Sequence, residues 1–257
     1  MSGGPVYLDR FQARAGLITW DLEALARIHL APDFAQILHA AALLEEDTAL
    51  TVRQCNSLGF DRLADLAPFL PQWEAEEAEH GRALRALVAH QTPVAGRGQS
   101  GRRRSVDHLV ASVPARFIGR RAHAPFIFCA LGAAAEYLAT ALYAELANRA
   151  NPPALTQLLR SIARQEARHL AFFLAAARVR GSQMSSLDGR FSRSVVGAIW
   201  APIGVPTLGK EAWLELFAEW LDDDHLRNRL EMMDRVVDSI PQLAGMRLMG
   251  TFLDEVA

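Results

Sequence analysis

Apolar residues recur every three or four positions along most of the chain, a spacing that places side chains on one face of a helix. Four long segments follow this pattern, and each begins at or near a proline, which suits the first turn of a helix. We predict helices over residues 31–56, 71–90, 124–150 and 151–181, with Pro71 at the first position of the second. No segment alternates apolar and polar residues as a half-buried strand does.

The segments outside these four helices are shorter and more polar. A single turn of helix is expected near residues 61–67, and the Gly- and Arg-rich residues 91–104 indicate an exposed loop. Residues 190–257 are expected to form three shorter helices. The breaks between them are expected at prolines, namely Pro202, Pro206 and Pro241.

Four long helices in two successive pairs predict an all-α fold. Short connections favour antiparallel neighbours, so the expected architecture is an antiparallel four-helix bundle over about residues 33–180. Additional C-terminal helices would extend it over about 190–257. We expect a single domain over residues 1–257, because this length suffices for one large core.

Composition and charge exclude several functions. Apolar residues make up 51% of the 257 positions and charged residues 22%, which is typical of a soluble globular protein. A net charge of −2 creates no overall field that would attract nucleic acid. The two cysteines form no disulfide framework and no CxxC motif, and no signal peptide is visible, so we expect a cytoplasmic protein.

A loose repeat across the two helix pairs carries the chemical signal. In each pair, a Glu on the first helix is followed 32 or 30 residues later by a Glu-x-x-His motif on the second. Residues three apart share a helix face, so each motif can direct a carboxylate and an imidazole to the bundle axis. The six residues of the repeat are Glu45, Glu77, His80, Glu136, Glu166 and His169.

Four carboxylates and two imidazoles suit a pair of first-row metal ions such as iron or manganese, and burying the carboxylates without a cation would be very costly. Buried salt bridges and chance spacing are the alternative, but two motifs at nearly equal spacing favour a dinuclear site. On the first helix Glu45 continues the apolar seam, whereas the alternative ligand Glu46 lies on the flank.

The metal site also bears on residues 124–144, which contain one charged residue, Glu136, and are long enough to cross a membrane. A carboxylate amid apolar residues is tolerable when its charge is bound to metal inside a bundle. We therefore predict the most buried helix of a soluble bundle here, and no membrane span.

With these motifs the sequence resembles the ferritin-like dinuclear-iron oxidases, and among them it is most similar to the soluble acyl-carrier-protein desaturases. The W-x-x-E-E-x-x-H-G element of those enzymes stands here as the residues from Trp73 to Gly81. Their paired glutamates on the first helix match Glu45 and Glu46, with Glu45 at the ligand position. Their D-E-x-R-H element appears as the residues from Gln165 to His169.

The resemblance implies a ring of outer residues that orient the ligands, namely Glu76, Gln165 and Arg168. Two positions depart from the family: Glu79 replaces an Arg, and Gln165 replaces an Asp. Related hydroxylases place a catalytic Thr where Thr140 stands, whereas desaturases have theirs one residue earlier. The structural alternative for Thr140 is a hydrogen bond to the backbone of its own helix.

Neighbours of the ligands suggest where a substrate and a partner would bind. Positions one or two turns from the ligands are expected to line an apolar channel, with ordinary core packing as the alternative. These positions are Trp73, Cys129, Ala133 and Phe173. The basic stretch Arg97–Arg121 is a candidate docking site for an acidic carrier protein, and a solvated loop is its alternative.

The resemblance implies an O2-dependent oxidase of an unactivated C–H bond, with two iron ions (or one manganese and one iron) and O2 as co-substrate. Desaturation of a carrier-bound fatty acyl chain is the leading specific reading. The alternatives are hydroxylation of another apolar small molecule and an iron-binding or ferroxidase bundle without an organic substrate. A channel of about 300 Å³ or more that reaches the site would favour the enzyme. The resemblance also implies a ferredoxin-type electron donor and a homodimer.

Overall fold

The computed structural model describes residues 5–90, 123–221 and 223–255. Across these residues the regular structure is helical and contains no strand, so the predicted all-α class is confirmed. A 3-10 helix lies at Phe60–Arg62. The α-helices are α1 (Val6–Gln12), α2 (Leu22–Ala26), α3 (Pro32–Ser57), α4 (Leu66–Val88), α5 (His123–Arg149), α6 (Pro153–Gln183), α7 (Ser186–Ile199), α8 (Val205–Leu208), α9 (Lys210–Leu221), α10 (Asp224–Asp238) and α11 (Leu248–Asp254).

Three of the four long helices begin within two residues of their predicted starts, but α4 begins five residues before Pro71. The prediction that this proline starts the helix is therefore wrong. The Asp65 side chain caps the true start by accepting the Leu66 N–H at 3.0 Å. Burial of Leu66, Phe69 and Leu70 stabilises the extra turn, which offsets the hydrogen bond that proline cannot donate.

The described residues of the C-terminal part form five helices, α7 to α11, where three were predicted. Pro206 does not break a helix, because it is the second residue of α8, where its missing N–H has no intrahelical partner to lose. Pro241 does follow the end of α10, as predicted. Two short N-terminal helices, α1 and α2, were not predicted.

The four long helices pack as two hairpins, α3 with α4 and α5 with α6, and short connections make each pair antiparallel. The arrangement fits a ferritin-like bundle. Around it, α1 packs on α6, α2 on α4, α9 on α3 and α10 on α5. One contiguous apolar core includes residues from the bundle and from the C-terminal helices.

Helix α5 is the one described helix that is long and apolar enough to cross a membrane. However, 67% of its most apolar stretch is buried within the protein. Its buried residues include two carboxylates, Glu136 and Glu145. This burial is consistent with the core helix predicted for residues 124–144.

Candidate metal centre

The structure brings all six residues of the sequence repeat together between the two hairpins. They form two groups of four: Glu45, Glu77, His80 and Glu166 in one, and Glu77, Glu136, Glu166 and His169 in the other. Within each group the candidate ligand atoms lie within 4.8 Å of one another, and every side chain is buried. The two groups share Glu77 and Glu166, so the arrangement can hold two metal ions joined by two carboxylates.

Both histidines direct Nδ1 into this cluster. His80 Nδ1 lies 3.0 Å from an oxygen of Glu166 and 3.5 Å from an oxygen of Glu45. His169 Nδ1 lies 3.0 Å from Glu77, 3.1 Å from Glu166 and 3.7 Å from Glu136. Each imidazole therefore faces one carboxylate that belongs to its group alone and at least one that both groups share.

The outer ring nitrogens are held by the predicted second ring of residues, in a crosswise pattern. Glu76, which precedes the first shared glutamate, lies 2.7 Å from His169 Nε2 on the opposite hairpin. Gln165, which precedes the second, places its oxygen 2.8 Å from His80 Nε2. Arg168 in turn donates to Glu76. With Nε2 donating outwards, each Nδ1 is left to offer a lone pair to the cluster.

Several buried atoms of the cluster lack hydrogen-bond partners among the described residues. They are His80 Nδ1, Glu77 Oε1 and Glu166 Oε1. A nitrogen lone pair facing carboxylate oxygens is unfavourable unless a positive charge, either a proton or a metal ion, lies between them. The residues present therefore fit a pair of metal ions, and their oxygen and imidazole donors suit iron or manganese.

The electrostatics also indicate excess negative charge. Burial, followed by the charge on Glu166, raises the pKa values of Glu77 and Glu136 well above normal. Burial acts to lower the pKa of His80, but Glu166 and Glu45 outweigh it and raise that pKa. These groups thus hold protons more tightly than they would in water, which is how a buried cluster responds to uncompensated carboxylates.

Residues 60–180 match the family model for fatty acid desaturase. The matched segment carries five of the six cluster residues, and only Glu45 lies before it. Proteins of the desaturase family are oxidoreductases. Comparisons with curated proteins and with solved structures gave no significant match.

The structure shows an apolar cavity beside the cluster. Its volume is about 220 Å³. This is below the channel volume of about 300 Å³ that would favour an enzyme. Its floor includes the four cluster carboxylates, and Trp200–Gly204 of the C-terminal extension forms part of its wall. A smaller cavity of about 50 Å³ adjoins it past Glu45, towards Trp213 and Phe217.

Of the four predicted channel residues, only Trp73 lines the cavity. Cys129, Ala133 and Phe173 are fully buried in the core instead. For these three residues the structure shows the alternative of ordinary core packing, because proximity to a ligand along a helix does not fix which flank faces the opening. Phe173 packs behind Gly132, where an added Cβ would lie only 2.6 Å from its ring.

Thr140 does not line either cavity. Its hydroxyl donates to the Glu136 carbonyl at 2.7 Å, which is the structural alternative. Its neighbour Ala139, at the position where desaturases carry their Thr, does line the cavity. A hydroxyl that sequence reasoning passed over, on Thr48, also lines it, three residues after Glu45 on α3.

Tyr143 is the other residue that sequence reasoning missed. It lies two turns after Glu136 on α5, is buried, and donates its hydroxyl to Glu45. Burial, followed by the charge on Glu45, raises the pKa of this phenol, so it keeps its proton. Glu79, the other departure from the family, pairs with Arg82 outside the cluster. The basic stretch Arg97–Arg121 lies outside the described residues.

Proposed function

We propose that this protein is an O2-dependent dinuclear-metal oxidase that removes hydrogen from an unactivated C–H bond, and most specifically a fatty acyl desaturase. The observation that carries the proposal is the pair of four-residue groups sharing Glu77 and Glu166 beside an apolar cavity. The desaturase family match supports the choice of reaction.

The six residues Glu45, Glu77, His80, Glu136, Glu166 and His169 would hold two iron ions, or one manganese and one iron. When bound, such a pair supplies the O2-activating redox chemistry that no side chain provides. The chain's own residues orient and insulate the site: Glu76 and Gln165 fix the imidazoles, Tyr143 holds Glu45, and the apolar wall excludes water.

Desaturation also determines which partners are needed. Removing two hydrogen atoms from a saturated chain while reducing O2 to two water molecules requires two further electrons and two protons. We therefore include a ferredoxin-type electron donor in the proposal. An acyl-carrier-protein substrate, a homodimer and a cytoplasmic location complete it as implications of the family resemblance.

We prefer an organic substrate to the ferroxidase alternative because an apolar cavity lies against the cluster carboxylates, although its volume is below about 300 Å³. A bundle that only oxidised or stored iron would have no use for an apolar space against its carboxylates, whereas an acyl chain would occupy it. Desaturation is preferred to hydroxylation because the Thr140 hydroxyl bonds to its own helix. The 220 Å³ volume favours insertion of only part of a long acyl chain.

Metal analysis tests the site on which the proposal depends. Protein from iron-replete cells is expected to contain close to two metal ions per chain, and Glu136→Ala to lose at least one. Glu145→Ala is the matched control, because Glu145 is also buried on α5 but pairs with Arg149 at 2.7 Å outside the cluster. Fewer than one metal per wild-type chain, or equal loss in both variants, would contradict the proposal.

The reaction is tested with the metal-loaded protein, a ferredoxin, its reductase, O2 and acyl-carrier-protein substrates of several chain lengths. The expected product is an alkene, detected by mass spectrometry and absent without O2. An alcohol product would contradict desaturation and identify the reaction as hydroxylation. Oxidation of iron alone, with every acyl chain unchanged, would favour the ferroxidase.

A further inference from the structure

An exposed segment between α1 and α2 contacts the outer ring of the metal centre at one peptide unit. The backbone N–H of Gly16 donates to Glu76 at 3.0 Å. The backbone carbonyl of the same residue accepts from the Gln165 side-chain amide at 2.9 Å. Gly16 therefore contacts both residues that hold the two histidines, although it lies 60 and 149 positions away from them in sequence.

The two outer residues differ in how much they depend on this contact. Glu76 is a carboxylate, so either of its oxygens can accept from His169, and it also receives hydrogen bonds from Gln72 and Arg168. Gln165 is an amide with an oxygen at one side and an NH2 group at the other. If it turned over, it would present N–H to His80, and the ring could then no longer donate from Nε2.

The Gly16 carbonyl selects one of these two orientations. Since it accepts the Gln165 amide hydrogen, the Gln165 oxygen must face His80, 2.8 Å from Nε2. His80 then carries its proton on Nε2, and its Nδ1 lone pair is free to bind a metal ion held together with Glu45, Glu77 and Glu166. An acidic residue at position 165 would need no such help, because both of its oxygens accept.

We propose that the Gly16 peptide is a positioning element of the metal centre, which acts through the Gln165 amide to keep His80 Nδ1 available as a ligand. The inference rests on the proposed metal site and adds to it an asymmetry: the position at His80 depends on the N-terminal segment, and the position at His169 does not. The dependence arises because the Gln165 amide, unlike a carboxylate, has an acceptor at only one of its two ends.

Substitutions at Gly16 separate its two roles. Gly16→Pro removes the N–H, and the proline ring would occupy the space near the Glu76 oxygen, so the segment and its carbonyl must move. Gly16→Ala keeps both backbone groups, and no atom lies within 4 Å of the added Cβ. It is therefore the matched control. Gln165→Glu, alone and combined with Gly16→Pro, tests whether an acceptor that cannot turn over restores the site.

Each full-length protein is titrated with Co²⁺ by calorimetry under anaerobic conditions. We expect two ions per wild-type chain. In Gly16→Pro we expect one ion to bind 10- to 100-fold more weakly, with less than a threefold change for the other. Gly16→Ala should match the wild type, and the double variant should recover to within about threefold.

The outcomes distinguish this inference from the proposed function. Fewer than two ions in the wild type would contradict the metal site itself. Two ions in the wild type with unchanged binding in Gly16→Pro, equal weakening of both ions, or no recovery in the double variant would overturn the role of Gly16. If Gly16→Pro fails to fold, NMR of the wild type decides: slow solvent exchange of the Gln165 side-chain amide supports the contact, and fast exchange refutes it.

Discussion

Two buried clusters of charged groups each include residues from the α4 region and from α6, and they are satisfied in opposite ways. In the first, Asp65 accepts two hydrogen bonds of 2.8 Å from Arg180, one of 2.6 Å from Tyr7 and one of 3.0 Å from Leu66 N–H. In the second, the candidate metal centre, buried oxygens of Glu77 and Glu166 have no hydrogen-bond donor among the described residues.

The pKa values of the two clusters show the same contrast. Burial acts to raise the pKa of Asp65, but hydrogen bonds from Arg180 and Tyr7 outweigh it and leave that pKa below normal. For Glu77 and Glu136 burial prevails, reinforced by the charge on Glu166, and their pKa values rise. A cluster that the chain neutralises is structural, whereas one that the chain leaves negative needs a cation from outside.

The largest expected difference between the two clusters is in how added metal changes the stability of the protein. At a free Mn²⁺ concentration 1,000 times the dissociation constant, each bound ion stabilises the wild type by about 4 kcal/mol, since the unfolded chain has no site. Unfolding in urea with Mn²⁺ or with EDTA measures this shift. Glu166→Gln should abolish it and Asp65→Asn should keep it. A wild type that gains nothing from Mn²⁺ would remove the distinction between the clusters.

Breaking the neutral cluster should have the next largest effect. Asp65→Asn removes the carboxylate that pairs with Arg180, whose side chain is only 16% exposed. We therefore expect the free energy of unfolding to fall by about 3 kcal/mol. The loss should be the same with EDTA and with Mn²⁺, because Asp65 takes no part in metal binding. A loss that depended on metal would show that the two clusters are coupled.

The contributions of Asp65 and Glu136 to the pH dependence of stability in EDTA should have opposite signs. Asp65, with its lowered pKa, stabilises the fold above its unfolded pKa of about 3.8, and this contribution disappears as pH falls through the folded value. Glu136 has a raised pKa, so its contribution is lost as pH rises from about 4.3 through the folded value.

Glu136→Gln should therefore stabilise the protein in EDTA at neutral pH, by about 1 to 3 kcal/mol, with the gain shrinking towards pH 4. Asp65→Asn should be most harmful at neutral pH and lose its effect as pH falls below about 3.8. Urea unfolding across this pH range measures both. Destabilisation by Glu136→Gln at neutral pH in EDTA would show that the chain itself neutralises the second cluster.

The four long helices and the cluster residues were accessible from sequence because metal coordination and helix geometry impose the same spacing. Residues three positions apart lie on the same face of a helix, as Glu77 and His80 do, and Glu166 and His169. The start of α4 was misplaced because Asp65 and three buried apolar side chains outweigh a proline, which is a tertiary effect.

Contacts between segments far apart in the chain produce no sequence pattern from which they could be predicted. The Gly16 peptide reaches Gln165 across 149 positions through backbone atoms alone, which no residue type signals. The cavity wall depends on where Trp200–Gly204 packs, so the sequence could not decide between the cavity and the core for Cys129, Ala133 and Phe173. Tyr143 could have been found, because it lies seven residues after Glu136 and therefore on the same helix face.

The smallest of these effects concerns Tyr143, the one donor that the chain directs at Glu45 from α5. Tyr143→Phe removes this hydrogen bond to a charged group, a loss of about 1.5 kcal/mol, so Co²⁺ should bind about tenfold more weakly at the position that includes Glu45. Tyr137→Phe is the matched control, since that hydroxyl donates to the Arg229 carbonyl at 3.0 Å, away from the cluster. Equal Co²⁺ affinity in the two variants would mean that Tyr143 only fills space beside a carboxylate which the metal orients by itself.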